Sequence, residues 1–210
     1  MSDQTTTKTI TNKRLDTRKL TGTAMLSAVA FVLMYIEVPL TGIMPPFIKF
    51  DISDLPAVIG AFAFGPLCGV VIELIKNLLH LVVSQSMFIG ELSNFILGAT
   101  FVLVAGGIYS WKKTKLSAFL GGVAGAVVMG LVSVVSNYYL VYPVYVAVFF
   151  GGNEQTCIDM YKLIIPSMKT LLQCLLVFNV PFTIVKGLIS VVISMLIYKP
   201  LSPILKGRNN

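Results

Sequence analysis

The sequence predicts an all-α integral membrane protein with six transmembrane helices. Hydrophobic residues make up 56% of the 210 residues and charged residues only 12%, and the mean hydropathy is +0.86. A soluble domain of this size could not bury so much apolar surface. The apolar residues also form long runs that are interrupted mainly by glycine, proline and a few charges. Composition and patterning therefore both favour a bundle of membrane-spanning helices.

Six apolar runs define the expected helices. They cover residues 20–38, 55–64, 67–83, 87–109, 116–140 and 180–198. The second run is shorter than the roughly 20 residues that a straight span needs, so it is expected to cross part of the bilayer or to pack within the bundle. Asp54 followed by Pro56 marks its start. Gly65-Pro66 ends it, because glycine allows a tight reversal and proline is tolerated at a helix start.

The basic residues predict the orientation of the helices. They cluster before the first span, between the fourth and fifth, and after the sixth: Lys8, Lys13, Arg14, Arg18, Lys19, Lys112, Lys113, Lys115, Lys199, Lys206 and Arg208. With six spans, all three clusters lie on one side, which the positive-inside rule makes the cytoplasm. Residues 1–19 and 201–210 are then cytoplasmic tails around a membrane domain at 20–200. The net charge of +7 indicates contact with anionic lipid and not with nucleic acid.

Two long connections are predicted on the external side, at 39–53 and about 141–179. Both are too apolar and aromatic to be disordered, so structured external loops are expected. The prolines before Phe47 stiffen the first connection, which forms either a lid over a site or a loop packed on the bundle. The run at 158–177 is interpreted as external or partly embedded, because Lys162, Pro166, Lys169 and Gln173 interrupt it.

No residue pattern indicates an enzyme or a resident metal or cofactor. His80 has no partner at metal-ligand spacing and is interpreted as a core or interfacial histidine. The odd cysteines, Cys68, Cys157 and Cys174, are interpreted as small apolar side chains. The chain contains no G-x-x-x-x-G-K-[ST] loop, so it is not expected to hydrolyse a nucleotide itself.

A cluster of polar residues near the external ends of the spans predicts a binding site. A lysine inside a span costs roughly 3 kcal/mol or more in lipid, so Lys186 is expected to face a polar cavity or a partner. Amides, hydroxyls and an ammonium beside aromatic rings suit a flat, weakly polar aromatic ligand. The alternative is that the amides bond to each other or to backbone and hold the bundle together. The candidates are Asn137, Lys186, Thr183, Asn179, Glu91, Asn94, Tyr138, Phe182 and Phe47.

Three stretches of the chain resemble a known family. They are Phe50-Asp51-Ile52-Ser53-Asp54-Leu55-Pro56, then Phe64-Gly65-Pro66 through Leu79-His80, then Gly90-Glu91-Leu92-Ser93-Asn94-Phe95. Together with Asn137 and Pro181-Phe182-x-x-x-Lys186-Gly187, they look like the riboflavin-specific substrate-binding subunits of energy-coupling-factor (ECF) transporters. The resemblance covers roughly residues 20 to 200.

The resemblance implies a six-helix subunit of the bacterial cell membrane. It implies that the subunit captures riboflavin from outside and works with a transmembrane coupling subunit and two ATPase subunits. Asn137 and Lys186 would then hydrogen-bond the flavin. The family often has Asn three residues before that lysine, where this chain has Thr183. A shorter hydroxyl would bond through water, or Asn179 would compensate.

The same resemblance assigns the docking of the coupling subunit to Ala24 and Ala28, small residues spaced four apart on the first helix. Burial inside the subunit's own bundle is the competing interpretation of these alanines. Other functions also stay open: a related subunit for another vitamin or for FMN, or a solitary secondary carrier. The carrier is disfavoured because the spans hold few acidic residues and no clear repeat. FMN is disfavoured because no arginine cluster is evident in the external half.

Overall fold

The computed structural model describes residues 17–206, and the side chains of all of these except residues 199 and 202–206. The rest of the predicted tails, 1–16 and 207–210, lies outside the described residues. The elements are α1 (Thr17–Tyr35), β1 (Val38–Pro39), β2 (Lys49–Phe50), α2 (Asp54–Phe64), α3 (Pro66–His80), α4 (Ile89–Trp111), α5 (Lys115–Ser136), α6 (Tyr142–Phe149), α7 (Glu154–Lys162), α8 (Leu171–Cys174) and α9 (Val180–Lys206).

The predicted helical membrane fold is confirmed. Four stretches of the described chain are long and apolar enough to cross a membrane: Pro66–Val83, Ile89–Trp111, Lys115–Phe149 and Leu171–Tyr198. The apolar α2 is shorter, as expected. A helix lies at each of the six predicted positions, but the structure divides the chain into more helical segments than six. The number of passes and the side of each terminus remain predictions.

The predicted boundaries of the last two helices were wrong. The helix expected at 116–140 continues to Phe149, and the one expected at 180–198 begins at Leu171. Each continues through a π-helical turn, at Asn137–Val141 and at Leu175–Asn179. Each turn ends two residues before a proline, Pro143 or Pro181. A π turn shifts the backbone hydrogen bonds that proline would otherwise break, so neither proline ends its helix.

The bundle core joins α1, α2, α3, α4, α5 and α9, whose buried side chains form one hydrophobic cluster. Gly121 and Gly125 allow α5 to pack closely on α4. A Cβ on either would lie 2.8 Å from a backbone carbonyl of α4, and such close approach is typical of helices packed in lipid. Gly65 has a different role, because the space around it is open and its φ is +103°. It makes the predicted reversal before Pro66, the first residue of α3.

A β-hairpin and a second hydrophobic cluster cover one end of the bundle. β1 pairs with β2 antiparallel, with Val38 opposite Phe50. The cluster gathers buried residues of the hairpin loop, α6, α7 and α8. The end of the bundle that carries the hairpin is called the hairpin end below. The connections predicted to be structured are therefore folded, and the first of them is a hairpin.

Candidate ligand-binding site

A cavity of about 550 Å³ lies at the hairpin end of the bundle. Its walls come from the bundle core, which supplies Met129, and from the second cluster, which supplies Val141 and Tyr142. The volume lies within the range of about 300–1,000 Å³ that is usual for small-molecule sites. The hairpin contributes Pro46, Phe47, Ile48 and Lys49 to the wall.

Eight of the nine predicted site residues line this cavity. They are Phe47, Glu91, Asn94, Asn137, Asn179, Phe182, Thr183 and Lys186. Tyr138 is not among the lining residues. Its side chain is 38% exposed, and its ring packs edge-on against Tyr139. Because Asn137 and Tyr138 are adjacent in a helical turn, their side chains point in different directions.

Lys186 is paired inside the protein and still reaches the cavity. Its Nζ lies 2.9 Å from Asp51 Oδ2 and 3.3 Å from Asp54 Oδ2, and its side chain is 11% exposed. An ammonium has three N–H donors. Two carboxylate oxygens therefore leave one donor for a further acceptor, and that donor belongs to a cavity-lining residue.

Lys76 completes the charge network but does not line the cavity. Its Nζ lies 2.8 Å from Ser53 Oγ, 2.6 Å from Asp54 Oδ1 and 2.8 Å from Glu73 Oε2. Two hydrogen-bond acceptors and one ion-paired oxygen thus surround its three donors among the described residues. Glu73 lies one turn before Lys76 on the same helix, and Asp54 of α2 is a second carboxylate partner.

Asp51 joins the hairpin to this network. Its Oδ1 accepts hydrogen bonds from the backbone N–H and the hydroxyl of Ser53. Burial by itself would raise the pKa of Asp51, but the ammonium groups of Lys186 and Lys76 outweigh burial and lower the pKa to about 2. Asp51 is therefore ionised at physiological pH and neutralises the lysine beside it.

Two asparagines are placed in the cavity wall by the two π-helical turns. Asn137 begins the first turn and Asn179 ends the second, and π turns occur frequently at functional sites. The side-chain carbonyl of Asn137 (Oδ1) accepts a hydrogen bond from the Ser93 hydroxyl at 3.4 Å. No hydrogen bond of its amide N–H₂ to the described residues is found. That group is available to a ligand.

The amide of Asn179 is engaged by two tyrosines. Its Oδ1 accepts from the Tyr161 hydroxyl at 3.0 Å, and its Nδ2 donates to the Tyr142 hydroxyl at 3.1 Å. The two hydroxyls also bond to each other. Thr183, one turn along the same helix, is buried and lines the cavity. Thr183 therefore has the more available polar group of the two.

Glu91 is held by the connection between α3 and α4. Its Oε1 lies 2.9 Å from His80 Nδ1, and its Oε2 accepts from the hydroxyls of Ser84 and Ser86 at 2.9 and 2.8 Å. His80 is buried at this contact, in agreement with the interpretation as a core histidine. The carboxylate of Glu91 is thus oriented before any ligand binds.

The hairpin is fixed over the cavity by polar and aromatic contacts. Lys49 forms an ion pair with Glu37 and donates to Gln85 Oε1 at 2.9 Å. The ring of Phe47 lies 5.8–6.2 Å from four aromatic rings, those of Tyr142, Tyr145, Phe150 and Tyr161. This arrangement favours the lid interpretation of the first connection over simple packing on the bundle.

Ala24 and Ala28 are both exposed on α1. Neither lines the cavity. Their neighbours Met25, Val29 and Val32 are also at least half exposed. The competing interpretation, burial inside the subunit's own bundle, is therefore wrong for the isolated chain.

Sequence reasoning missed Asp51 and Asp54 as partners of Lys186. Asp51 lies just before α2 and Asp54 is its first residue, and the sequence pattern assigned Asp54 only to the start of that helix. The sequence did contain a signal for this pairing. A lysine inside a span requires a compensating charge, and only a few acidic residues at the hairpin end could supply it. The contact joins residues 135 positions apart, so helical spacing could not identify it.

Sequence comparison assigns the family. Residues 18–198 match the family described as ECF transporter, substrate-specific component. The chain belongs to this family. The predicted family and the predicted non-enzymatic transport role are thereby confirmed.

Individual relatives of this substrate-specific component (S component) are riboflavin transporters. Riboflavin transporter RibU of Staphylococcus aureus (strain TCH60) is 35% identical over 195 residues, which are 93% of this chain and 93% of that protein. Riboflavin transporter FmnP of Bacillus subtilis (strain 168) is 32% identical over 193 residues, 89% of this chain and 93% of that protein.

A solved structure has the same fold as this S component. It is described as "Structure and mechanism of the S component of a bacterial ECF transporter", with 31% sequence identity and a TM-score of 0.71. The match covers 91% of this chain and 99% of that chain. The arrangement of helices around the cavity is therefore that of an S component.

Proposed function

We propose that this S component binds riboflavin in the cavity at the hairpin end and delivers it inward with a coupling subunit and two ATPase subunits. The relatives named above support riboflavin as the ligand. The observation that carries the proposal is the pair of available donors, Lys186 Nζ–H and the Asn137 amide, in the wall of an aromatic cavity. Two donors suit the carbonyl oxygens of a flat flavin ring.

The walls around these donors suit a ring system with a polar chain. Phe182 and Tyr142 supply aromatic surface, which packs on flat rings in offset or edge-on arrangements. Glu37, Lys49 and Gln85 form a second polar group in the same wall. The cavity wall therefore combines aromatic surface with several polar side chains, as an amphipathic vitamin requires.

We infer that the chain crosses the membrane six times, with both termini in the cytoplasm and the hairpin end outside. The basic clusters around α1, the α4–α5 connection and the end of α9 support this orientation. In a chain whose own three cysteines are replaced by alanine, a cysteine introduced in place of Thr5 should react with a membrane-impermeant thiol reagent only after the membrane is opened. Labelling of this cysteine in intact cells would show that the N-terminus is outside and would contradict the proposed orientation.

Riboflavin is expected to bind better than FMN. No arginine lines the cavity within the described residues, and its wall contains the carboxylates Glu37, Asp51, Asp54 and Glu91. A phosphate dianion would meet repulsion from these groups and would gain no bidentate partner.

Titration of riboflavin fluorescence with the purified full chain tests the proposal. Quenching should saturate near one ligand per protein without ATP or metal, since the proposed contacts belong to this chain alone. The same titration with FMN should show weaker binding. Absence of riboflavin quenching by folded protein would contradict the ligand assignment, and equal or tighter FMN binding would contradict the preference.

A further inference from the structure

The hairpin contacts α9 at two consecutive residues. The ring of Phe50, the last residue of β2, lies 6.3 Å from the ring of Phe182. Asp51, the next residue, pairs with Lys186 at 2.9 Å. Phe182 and Lys186 are four residues apart on α9 and therefore lie on one face of that helix. The hairpin thus contacts the same stripe of α9 that lines the cavity.

The carboxylate of Asp51 has a fixed direction. Its Oδ1 is bonded to the backbone N–H of Ser53 at 2.9 Å, which leaves Oδ2 for Lys186. Lysine is a point charge on a flexible four-carbon stem, so its ammonium takes the position that its partners set. Asp51 and Asp54 together direct two of its donors toward the start of α2.

We propose that Asp51 is a positioning residue for ligand capture, which orients the free N–H of Lys186 into the cavity only while the hairpin is closed. Asp51 follows β2 directly, so displacement of the hairpin also displaces the carboxylate. Closure of the hairpin and orientation of the ligand-binding lysine are then a single event. This proposal rests on the proposed function, because its binding test uses riboflavin as the ligand.

Riboflavin binding by Asp51 variants, with and without Lys186, tests whether Asp51 acts through this lysine. Asp51→Asn keeps the shape and removes the charge, and it should weaken riboflavin binding about tenfold, the usual effect of losing a charge-assisted hydrogen bond. Asp51→Glu keeps a carboxylate and should recover part of the affinity. In a Lys186→Met background, Asp51→Asn should cause no further loss. Asp159→Asn, an exposed carboxylate of α7 paired with Lys162, is the control and should bind normally.

The proposal is wrong if Asp51→Asn binds like the unaltered chain. It is also wrong if Asp51→Asn weakens binding equally with and without Lys186, because Asp51 would then act independently of the lysine.

A second measurement needs no ligand. Met44 is a buried residue of the hairpin loop. In a chain whose own Cys68, Cys157 and Cys174 are replaced by alanine, a Met44→Cys reporter should react with a thiol reagent several-fold faster when Asp51→Asn or Lys186→Met is added. Equal rates would show that the ion pair does not hold the hairpin and would overturn the proposal. Failure of the unaltered chain to bind riboflavin would instead contradict the proposed function, and the labelling rates would still decide the role of Asp51.

Discussion

Lys76 and Lys186 belong to one charge network but differ in what surrounds them. Lys76 on α3 is 0% exposed and has three oxygens within 2.8 Å. Lys186 on α9 is 11% exposed and has two oxygens, at 2.9 and 3.3 Å. A complete set of acceptors indicates a structural lysine, whereas an incomplete set beside a cavity indicates a ligand-binding lysine. Counting acceptors therefore separates two residues that are chemically identical.

The largest expected effect is the loss of stability when Lys76, the lysine with three oxygen partners, is replaced. Lys76→Met leaves Asp54 and Glu73 without this cation, and breaking a buried pair in this way usually costs about 3–5 kcal/mol. The thermal unfolding midpoint of the variant in detergent should fall sharply, with little folded protein recovered. Lys162→Met, whose ion pair with Asp159 is exposed, should change the midpoint little. A Lys76→Met protein as stable as the unaltered chain would remove the distinction between the two lysines.

Loss of the cavity-facing lysine should reduce binding more than folding. Lys186→Met removes the proposed donor, so riboflavin binding should weaken by roughly 1.5–3 kcal/mol. The unfolding midpoint should fall less than for Lys76→Met, because Asp51 keeps Ser53 and Asp54 keeps Lys76 as partners. Fluorescence titration and thermal unfolding on the same preparation separate the two effects. Normal binding by the folded variant would exclude Lys186 from the site.

Replacement of Asn137, the neutral donor, should weaken riboflavin binding less than replacement of Lys186. Asn137→Leu removes the available amide and should weaken riboflavin binding by about 1–1.5 kcal/mol, the usual contribution of a neutral hydrogen bond. Ser136→Ala is the matched control, because that neighbouring hydroxyl bonds to the backbone of its own helix. If both variants bind equally well, Asn137 serves only to bond Ser93.

The smallest effect on binding is expected at Ala24 and Ala28. Leucine at both positions adds bulk to an exposed face of α1, away from both lysines. Riboflavin binding by the isolated subunit should change less than about twofold, whereas assembly with the coupling subunit and ATP-dependent uptake should fall strongly, because lipid-embedded helices pack closely through small residues. Uptake is measured in vesicles that contain all subunits. Normal uptake would place the docking surface elsewhere, and lost binding would make these alanines part of the fold.

Much of the fold and part of the site were predictable from the sequence. The positions of the helices followed from apolar runs, and the reversal at Gly65-Pro66 followed from local backbone preference. The last two helices were predicted too short, because Asn137 was placed near the external end of its span and the polar residues near Lys169 were interpreted as interrupting an external run. In the structure Asn137 lies within a continuing helix and faces a cavity. Polarity at a single position does not distinguish the end of a span from a cavity wall within a continuing helix.

The sequence by itself determined that this protein is a helical membrane protein of the ECF substrate-specific family, and it indicated most of the polar residues around the cavity. These properties depend on composition, on local hydrophobic patterning and on motifs within short stretches. The tertiary structure alone decided that Asp51 and Asp54 neutralise Lys186, that Lys76 is fully coordinated and that Tyr138 faces away from the cavity. Those outcomes depend on contacts between distant segments, such as the 135-residue separation of Asp51 and Lys186, which only the packing of the hairpin and the helices brings together.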